Sequence, residues 1–288
     1  MEIHCLGTTG YHPSDHRQTS CYLLAKDGIV LDAGTGIYRL APLIQTDSLD
    51  ILISHGHLDH TAGLTFLLDV FFQRPVETVR VWGQAVKLEA IRNCLFDEHI
   101  FPVPLKVEWC PIDHHKTFTV GAGSQTIKGQ VLGGQAGSGQ AGSGQAGGGH
   151  AGSGHAGSAR GVTVDWRLQD HPGGSVGYRL QWDQPKKCLV YATDTTGDVS
   201  AEMANWIQGC DLLMHECYFR DHEQEWALKT GHCWTSQAAK IAKQGNAKKL
   251  LLTHINPLAL GDDPVEIAKA RAIFPASNIA NDHDVVEF

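Results

Sequence analysis

The run His55-Gly56-His57-Leu58-Asp59-His60 follows directly on the apolar segment Ile51-Leu52-Ile53-Ser54, and it constrains this chain more than any other feature. Three imidazoles and a carboxylate inside six positions are costly to gather unless something binds them together. Metal ions meet that need. Histidines two apart on an extended loop can converge on one ion, and Asp59 and His60, on the next turn of chain, can face a second. Neutral imidazole and carboxylate oxygen suit zinc and similar borderline ions, manganese and iron among them. A histidine-rich surface loop would account for this segment alone, but later parts of the chain supply further ligands in a workable order.

Those further ligands sit at strand ends. His171 follows Trp166-Arg167-Leu168-Gln169-Asp170, Asp194 follows Val190-Tyr191-Ala192-Thr193, and His254 follows Leu250-Leu251-Leu252-Thr253. Strand ends are where α/β folds gather site residues. Any one of these could be a satisfied polar residue at a strand end. Together with the first cluster they make seven ligands, enough for two metals with one bridging carboxylate.

The surrounding pattern is α/β. Short apolar runs at residues 1–6, 20–24, 28–32 and 50–54 read as strands, and residues 61–72 and 84–95 as helices. Later, 162–169 and 175–182 look like a hairpin; 187–193, 211–215 and 249–253 are strands; 235–244 and 264–273 are helices, the first with Thr235 as N-cap. The second half repeats the strand-then-helix style of the first. Two similar halves packed sheet to sheet, with helices outside, are expected. Residues 133–159 are different: the unit Gln-Ala-Gly-Ser-Gly recurs with a period of five, and His150 and His155 replace Gln in later copies. Such a composition cannot bury a core and is expected to be flexible coil, a tolerated loop insertion in a single domain spanning 1–288. It joins the 162–169 strand at the end away from His171, ~25 Å off at the rise of an extended chain.

Composition excludes several classes. No apolar stretch approaches the roughly 18 residues of a membrane span. The start lacks a signal-peptide pattern, so a cytoplasmic protein is expected. The eight cysteines form no C-x-x-C pair and are expected to be reduced, mostly core thiols, with Cys233 singled out because it adjoins His232. Net charge is −8 with no run of Lys or Arg, which argues against a general nucleic-acid binder and for no stable nucleic-acid complex. It does not exclude an enzyme acting on a phosphodiester, because bound divalent metals add positive charge that the sum omits. Gly173-Gly174-Ser175-Val176-Gly177 matches the serine-hydrolase elbow, but that elbow needs a strand before it and a helix after, and a strand follows here.

With these segments in view, the chain resembles the metallo-β-lactamase superfamily, in its ribonuclease Z-like branch. The 55–60 run resembles the superfamily hallmark. Asp32 in Val30-Leu31-Asp32-Ala33-Gly34 resembles its aspartate behind the ligands; the segments at His171, Asp194 and His254 resemble its later metal motifs. Leu213-Met214-His215-Glu216-Cys217 and Gly231-His232-Cys233-Trp234-Thr235 resemble two segments that separate this branch from β-lactamases. The resemblance implies a four-layer α/β/β/α sandwich. It implies one metal on His55, His57 and His171, a second on Asp59, His60 and His254, and Asp194 bridging both opposite a hydroxide. It implies His232 as proton donor to the leaving oxygen, Glu216 as its orienter, Asp59 steering the hydroxide, and a homodimer.

Two departures matter. The tRNA-processing enzymes carry a long arm between the motifs matched by His171 and Asp194, and here only residues 172–193 lie between them. Cys233-Trp234 replaces the serine of the family loop beside the proposed acid. Both favour a smaller substrate, stacked against Trp234. The resulting expectation is a dinuclear phosphodiesterase acting on a small or single-stranded phosphodiester through two divalent ions, zinc first. Ribonuclease Z activity, hydrolysis of a sulfate ester, lactone or thioester, and a non-catalytic metal-binding scaffold are the alternatives.

Overall fold

The computed structural model describes residues 1–121, 161–259 and 261–288, so the repeat at 133–159 lies outside the described residues. The chain opens with β1 (Glu2–Gly7), β2 (Cys21–Leu24), β3 (Ile29–Leu31) and β4 (Ser48–Leu52). After β4 come a short helix α1 (Leu58–Thr61), a 3-10 turn, and α2 (Leu67–Gln73). The helix expected over 61–72 is thus broken in two, and its start is set by the histidine run. Next are β5 (Thr78–Gly83), α3 (Ala85–Ala90), which continues as a π turn to Leu95, β6 (Glu108–Pro111) and β7 (Thr117–Val120).

The second half runs β8 (Val162–Gln169), β9 (Ser175–Asp183), β10 (Lys186–Ala192), α4 (Ala201–Ile207), β11 (Leu212–Glu216), α5 (Gln224–Thr230), α6 (Thr235–Gln244), β12 (Leu250–Thr253), α7 (Ile267–Ile273), β13 (Ser277–Ile279) and β14 (Val285–Glu287). The strands form two seven-stranded sheets of order β14-β1-β2-β3-β4-β5-β6 and β13-β12-β11-β10-β9-β8-β7. Three apolar clusters fill the layers. Tyr22, Leu52, Val164, Tyr178, Leu189 and Met214 belong to the one between the sheets. Leu23, Ile51, Leu64, Leu67 and Leu88 pack the first sheet against α2 and α3, and Val190, Met203, Leu213, Ala238 and Ile241 pack the second against α4 and α6. Alternating strand side chains feed opposite layers, which makes four layers, α/β/β/α. No helix among the described residues is long and apolar enough to cross a membrane.

Parallel pairing positions the site. β3 and β4 are parallel, as are β10, β11 and β12, so their carboxyl ends come out side by side. At that edge the sheets are stitched together. The Val176 amide donates to the Ser54 carbonyl at 3.0 Å. The hydroxyls of Tyr178 and Tyr191 reach across to the Ile53 carbonyl and to Asp32, each at 2.7 Å. Ser175 opens β9 and donates to the Thr193 and Asp194 carbonyls, a structural role rather than a nucleophile's.

Candidate metal centre

Each parallel strand at this edge delivers one or two chemical groups. β3 ends before Asp32, β4 runs into Ser54 and His55, β10 precedes Asp194, β11 ends on Glu216, and β12 precedes His254. Asp32, Asp194 and His254 all take left-handed backbone, with φ of 56°, 49° and 52°. Non-glycine residues seldom adopt it. The sharp turn lets each strand stop and throw its side chain into the gap between the sheets.

Asp194 is the centre of the arrangement. Its Oδ1 lies 3.1 Å from His60 Nε2 and 3.2 Å from His254 Nε2. Its Oδ2 lies 3.5 Å from His171 Nε2 and 3.6 Å from His55 Nε2. Asp59 Oδ2 joins the first set, 3.3 Å from both His60 Nε2 and His254 Nε2. His57 joins the second, with Nδ1 3.4 Å from His171 Nε2. All seven sequence-predicted ligands therefore come together as two groups, His55-His57-His171-Asp194 and Asp59-His60-Asp194-His254.

The imidazoles are oriented from behind. His60 Nδ1 donates to Asp32 at 2.8 Å, and His171 Nδ1 donates to the Gly231 carbonyl at 2.8 Å. Ser54 Oγ donates to Asp32 at 2.8 Å, so His55 Nδ1, 3.0 Å away, donates to that hydroxyl. In all three rings Nε2 is left pointing inward. Glycine is required at two places beside these rings. A Cβ at Gly10 would fall 2.2 Å from the His254 ring, and one at Gly231 2.2 Å from Pro172.

These residues fit divalent metal. The His55 Nε2 atom is buried with no hydrogen-bond partner, and ring nitrogens of His60 and His254 face each other at 3.3 Å. Burial and the His60 charge push His55 well below its ordinary pKa, and burial and His171 lower His57, which favours the neutral, ligating form. Burial opposes charge on His60, yet Asp59, Asp194 and Asp32 draw a proton onto it. Burial likewise works against ionisation of Asp194 and Asp59, but the surrounding histidines hold both carboxyls low. Crowded carboxylates and inward ring nitrogens are the donor set of a borderline divalent cation.

Beside this cluster stands a second pair. Glu216 is fully buried: burial resists its charge, but His232 and His254 together lower its pKa. It accepts from the amides of Thr195 (2.8 Å) and Cys233 (3.0 Å), and from His232 Nδ1 at 2.9 Å. Burial alone would strip the proton from His232, but Glu216 raises its pKa to about 9. Its other ring nitrogen is left for the cavity, of about 600 Å³, that opens over the ligands.

Several residues at the site were not foreseen. The Tyr11 amide donates to Asp59 at 2.7 Å, and Tyr11, Tyr218 and Phe219 line the cavity. A backbone contact carries no residue-type signature; the adjacency of Tyr218 and Phe219 to Glu216 was the available signal. Trp234 is a correction. It is only 8% exposed and pairs through its backbone with Phe219, so it offers no stacking surface. Thr235 does not cap α6 either; its hydroxyl donates to the Val265 carbonyl. The eight cysteines are free, and burial raises the Cys233 thiol well above its ordinary pKa.

The beta-lactamase superfamily domain model matches residues 28–255. A ribonuclease Z of Salinibacter ruber is 30% identical over 315 residues, covering 98% of this chain and 92% of that protein. A ribonuclease Z of Bradyrhizobium sp. is 28% identical over 317 residues, covering 99% and 98%. Among solved structures, human tRNase Z, short form, superposes with a TM-score of 0.66 at 19% identity, covering 100% of this chain and 99% of that one. The metallo-beta-lactamase fold protein YhfI from Bacillus subtilis gives 0.70 at 18%, covering 100% and 98%. This chain therefore belongs to the metallo-β-lactamase superfamily, in its ribonuclease Z-like branch.

Proposed function

We propose that this protein is a dinuclear metal-dependent phosphodiesterase acting on a small or single-stranded phosphodiester. The observation that carries the reading is the divided carboxylate of Asp194, one oxygen turned to His60 and His254, the other to His55 and His171. His55, His57 and His171 would hold one ion, Asp59, His60 and His254 the second, and zinc suits both sets. When bound, such a pair of cations supplies an activated water near neutral pH and stabilises charge building on phosphoryl oxygens.

The chain's own residues do the rest. Glu216, held by three backbone amides, fixes the tautomer and direction of His232. His232 donates its proton to the leaving oxygen, which a poor leaving group such as an alkoxide requires. Asp59, pinned by the Tyr11 amide, steers the attacking water. A small substrate is supported by the missing arm: between His171 and Asp194 the chain makes only a glycine turn and the β9–β10 hairpin.

A second reading is tRNA 3′-end cleavage, favoured by the curated relatives, which carry the name ribonuclease Z. Both are tested by assaying metal-analysed protein on bis(p-nitrophenyl) phosphate and on precursor tRNA, with Asp194→Ala as control. Turnover of the diester that needs about two metals per chain and vanishes in the variant supports the proposal. A fully metallated protein inert on both would overturn it and bring sulfate esters, lactones and thioesters forward, or a non-catalytic scaffold.

A further inference from the structure

The cavity over the ligand cluster has two unlike walls. One is the polar cluster itself with His232. The other is Tyr11, Leu58, Pro172, Tyr218 and Phe219. Among the described residues, neither wall contains a lysine or an arginine. Three cations on the flanking segments make other contacts, Lys87 beside the cavity wall at Gly173. The Lys87 amino group donates to the Gly173 carbonyl, Arg220 donates to the Pro264 carbonyl, and the Lys229 amino group sits 4.8 Å from the Trp226 ring.

The aromatic wall is firmly built where it meets the chemistry. The Tyr218 ring stacks on His232 at 4.8 Å and 19°, and packs edge-on to Phe219 at 5.0 Å. Tyr11 is 75% exposed, but its backbone N–H is tied down by the hydrogen bond it donates to Asp59. A planar group entering here meets π faces on arrival. Each additional phosphate, beyond the reach of His232 and of the ions the cluster would hold, would instead meet an apolar surface with no lysine or arginine to replace its water.

We propose that the site selects a compact phosphodiester bearing one negative charge and a planar aromatic group, with Tyr218 and Tyr11 as the specificity-determining residues that stack on that group. Polyphosphates and strands of several nucleotides gain nothing from the extra charge. The proposal rests on the phosphodiesterase reading, since it takes the cluster to hold the phosphate.

The test uses poor-leaving-group diesters as competitors of bis(p-nitrophenyl) phosphate turnover. Methyl phenyl phosphate is expected to bind at least about tenfold tighter than dimethyl phosphate, the size of one aromatic stack. A thymidine trinucleotide should bind no tighter than methyl phenyl phosphate. In Tyr218→Leu the aromatic preference should collapse, and in Tyr11→Leu, whose exposed ring is removable without disturbing the core, it should shrink. A readout independent of turnover is saturation-transfer NMR on the zinc-loaded protein, where the phenyl protons should receive saturation in wild type and lose it in Tyr218→Leu. Equal inhibition by the phenyl and dimethyl esters, or a trinucleotide that binds much tighter, overturns this inference while leaving the phosphodiesterase standing. Absence of any bis(p-nitrophenyl) phosphate turnover overturns the phosphodiesterase reading instead.

Discussion

The two ligand pockets share Asp194 but are built differently. In the inner one, His60 and His254 are sealed from solvent. His60 is braced by Asp32, which is itself held by Ser54 and Tyr191, and Asp59 is held by a backbone amide. In the outer one, His55 and His171 are braced but His57 is exposed, and its ring nitrogen meets only another ligand. A pocket whose ligands are already fixed binds its ion without the entropy of ordering them. We propose that the inner pocket, in which only the buried Nδ1 of His254 lacks a partner among the described residues, would hold its ion more tightly than the outer pocket with its exposed His57.

The largest expected effect would erase the distinction. Asp194→Ala removes the group common to both pockets, and elemental analysis should find both ions lost and turnover at background. His232→Ala should leave both ions in place and lower kcat by about 10²–10⁴-fold. The loss should be smaller for p-nitrophenyl diesters, whose leaving group needs no proton, and this leaving-group dependence separates a proton donor from a structural ion pair. Asp32→Asn aims at the inner pocket alone, and should weaken its metal affinity about 10–100-fold while the outer ion is retained. If chelator titration instead shows both ions weakened equally, the inner and outer pockets are not independent. His57→Ala should lower occupancy of the outer site only. Replacing residues 133–159 with a short linker should change neither metal content nor kcat/KM; any loss of metal there would mean that His150 or His155 contributes ligands.

The legible part of this molecule was the part governed by local rules. Apolar runs ending on His171, Asp194 and His254 gave strands with ligands at their ends, because parallel strands expose their carboxyl ends together. The sheet partners of lower contrast, β5, β6 and β7, and the helices α4 and α5 were not distinguished from loops. Their burial comes from neighbours far away in the chain, such as Phe118 stacked on Trp82 at 4.7 Å. Trp234 shows the same limit. Adjacency to His232 placed it at the site, while the bridge to Phe219 turned its ring into the protein. Tyr11 contributes through its backbone amide, which every residue but proline possesses.

The left-handed turns at Asp32, Asp194 and His254 carry a further consequence. Each costs about 1–3 kcal/mol relative to a residue that accepts that backbone. Glycine at any of the three would relax the chain while deleting the side chain that chemistry needs. The fold is thus held below the stability its own backbone would allow, and the deficit is recovered only when a ligand binds the native form. Thermal unfolding should record this as a melting point that climbs with free metal concentration.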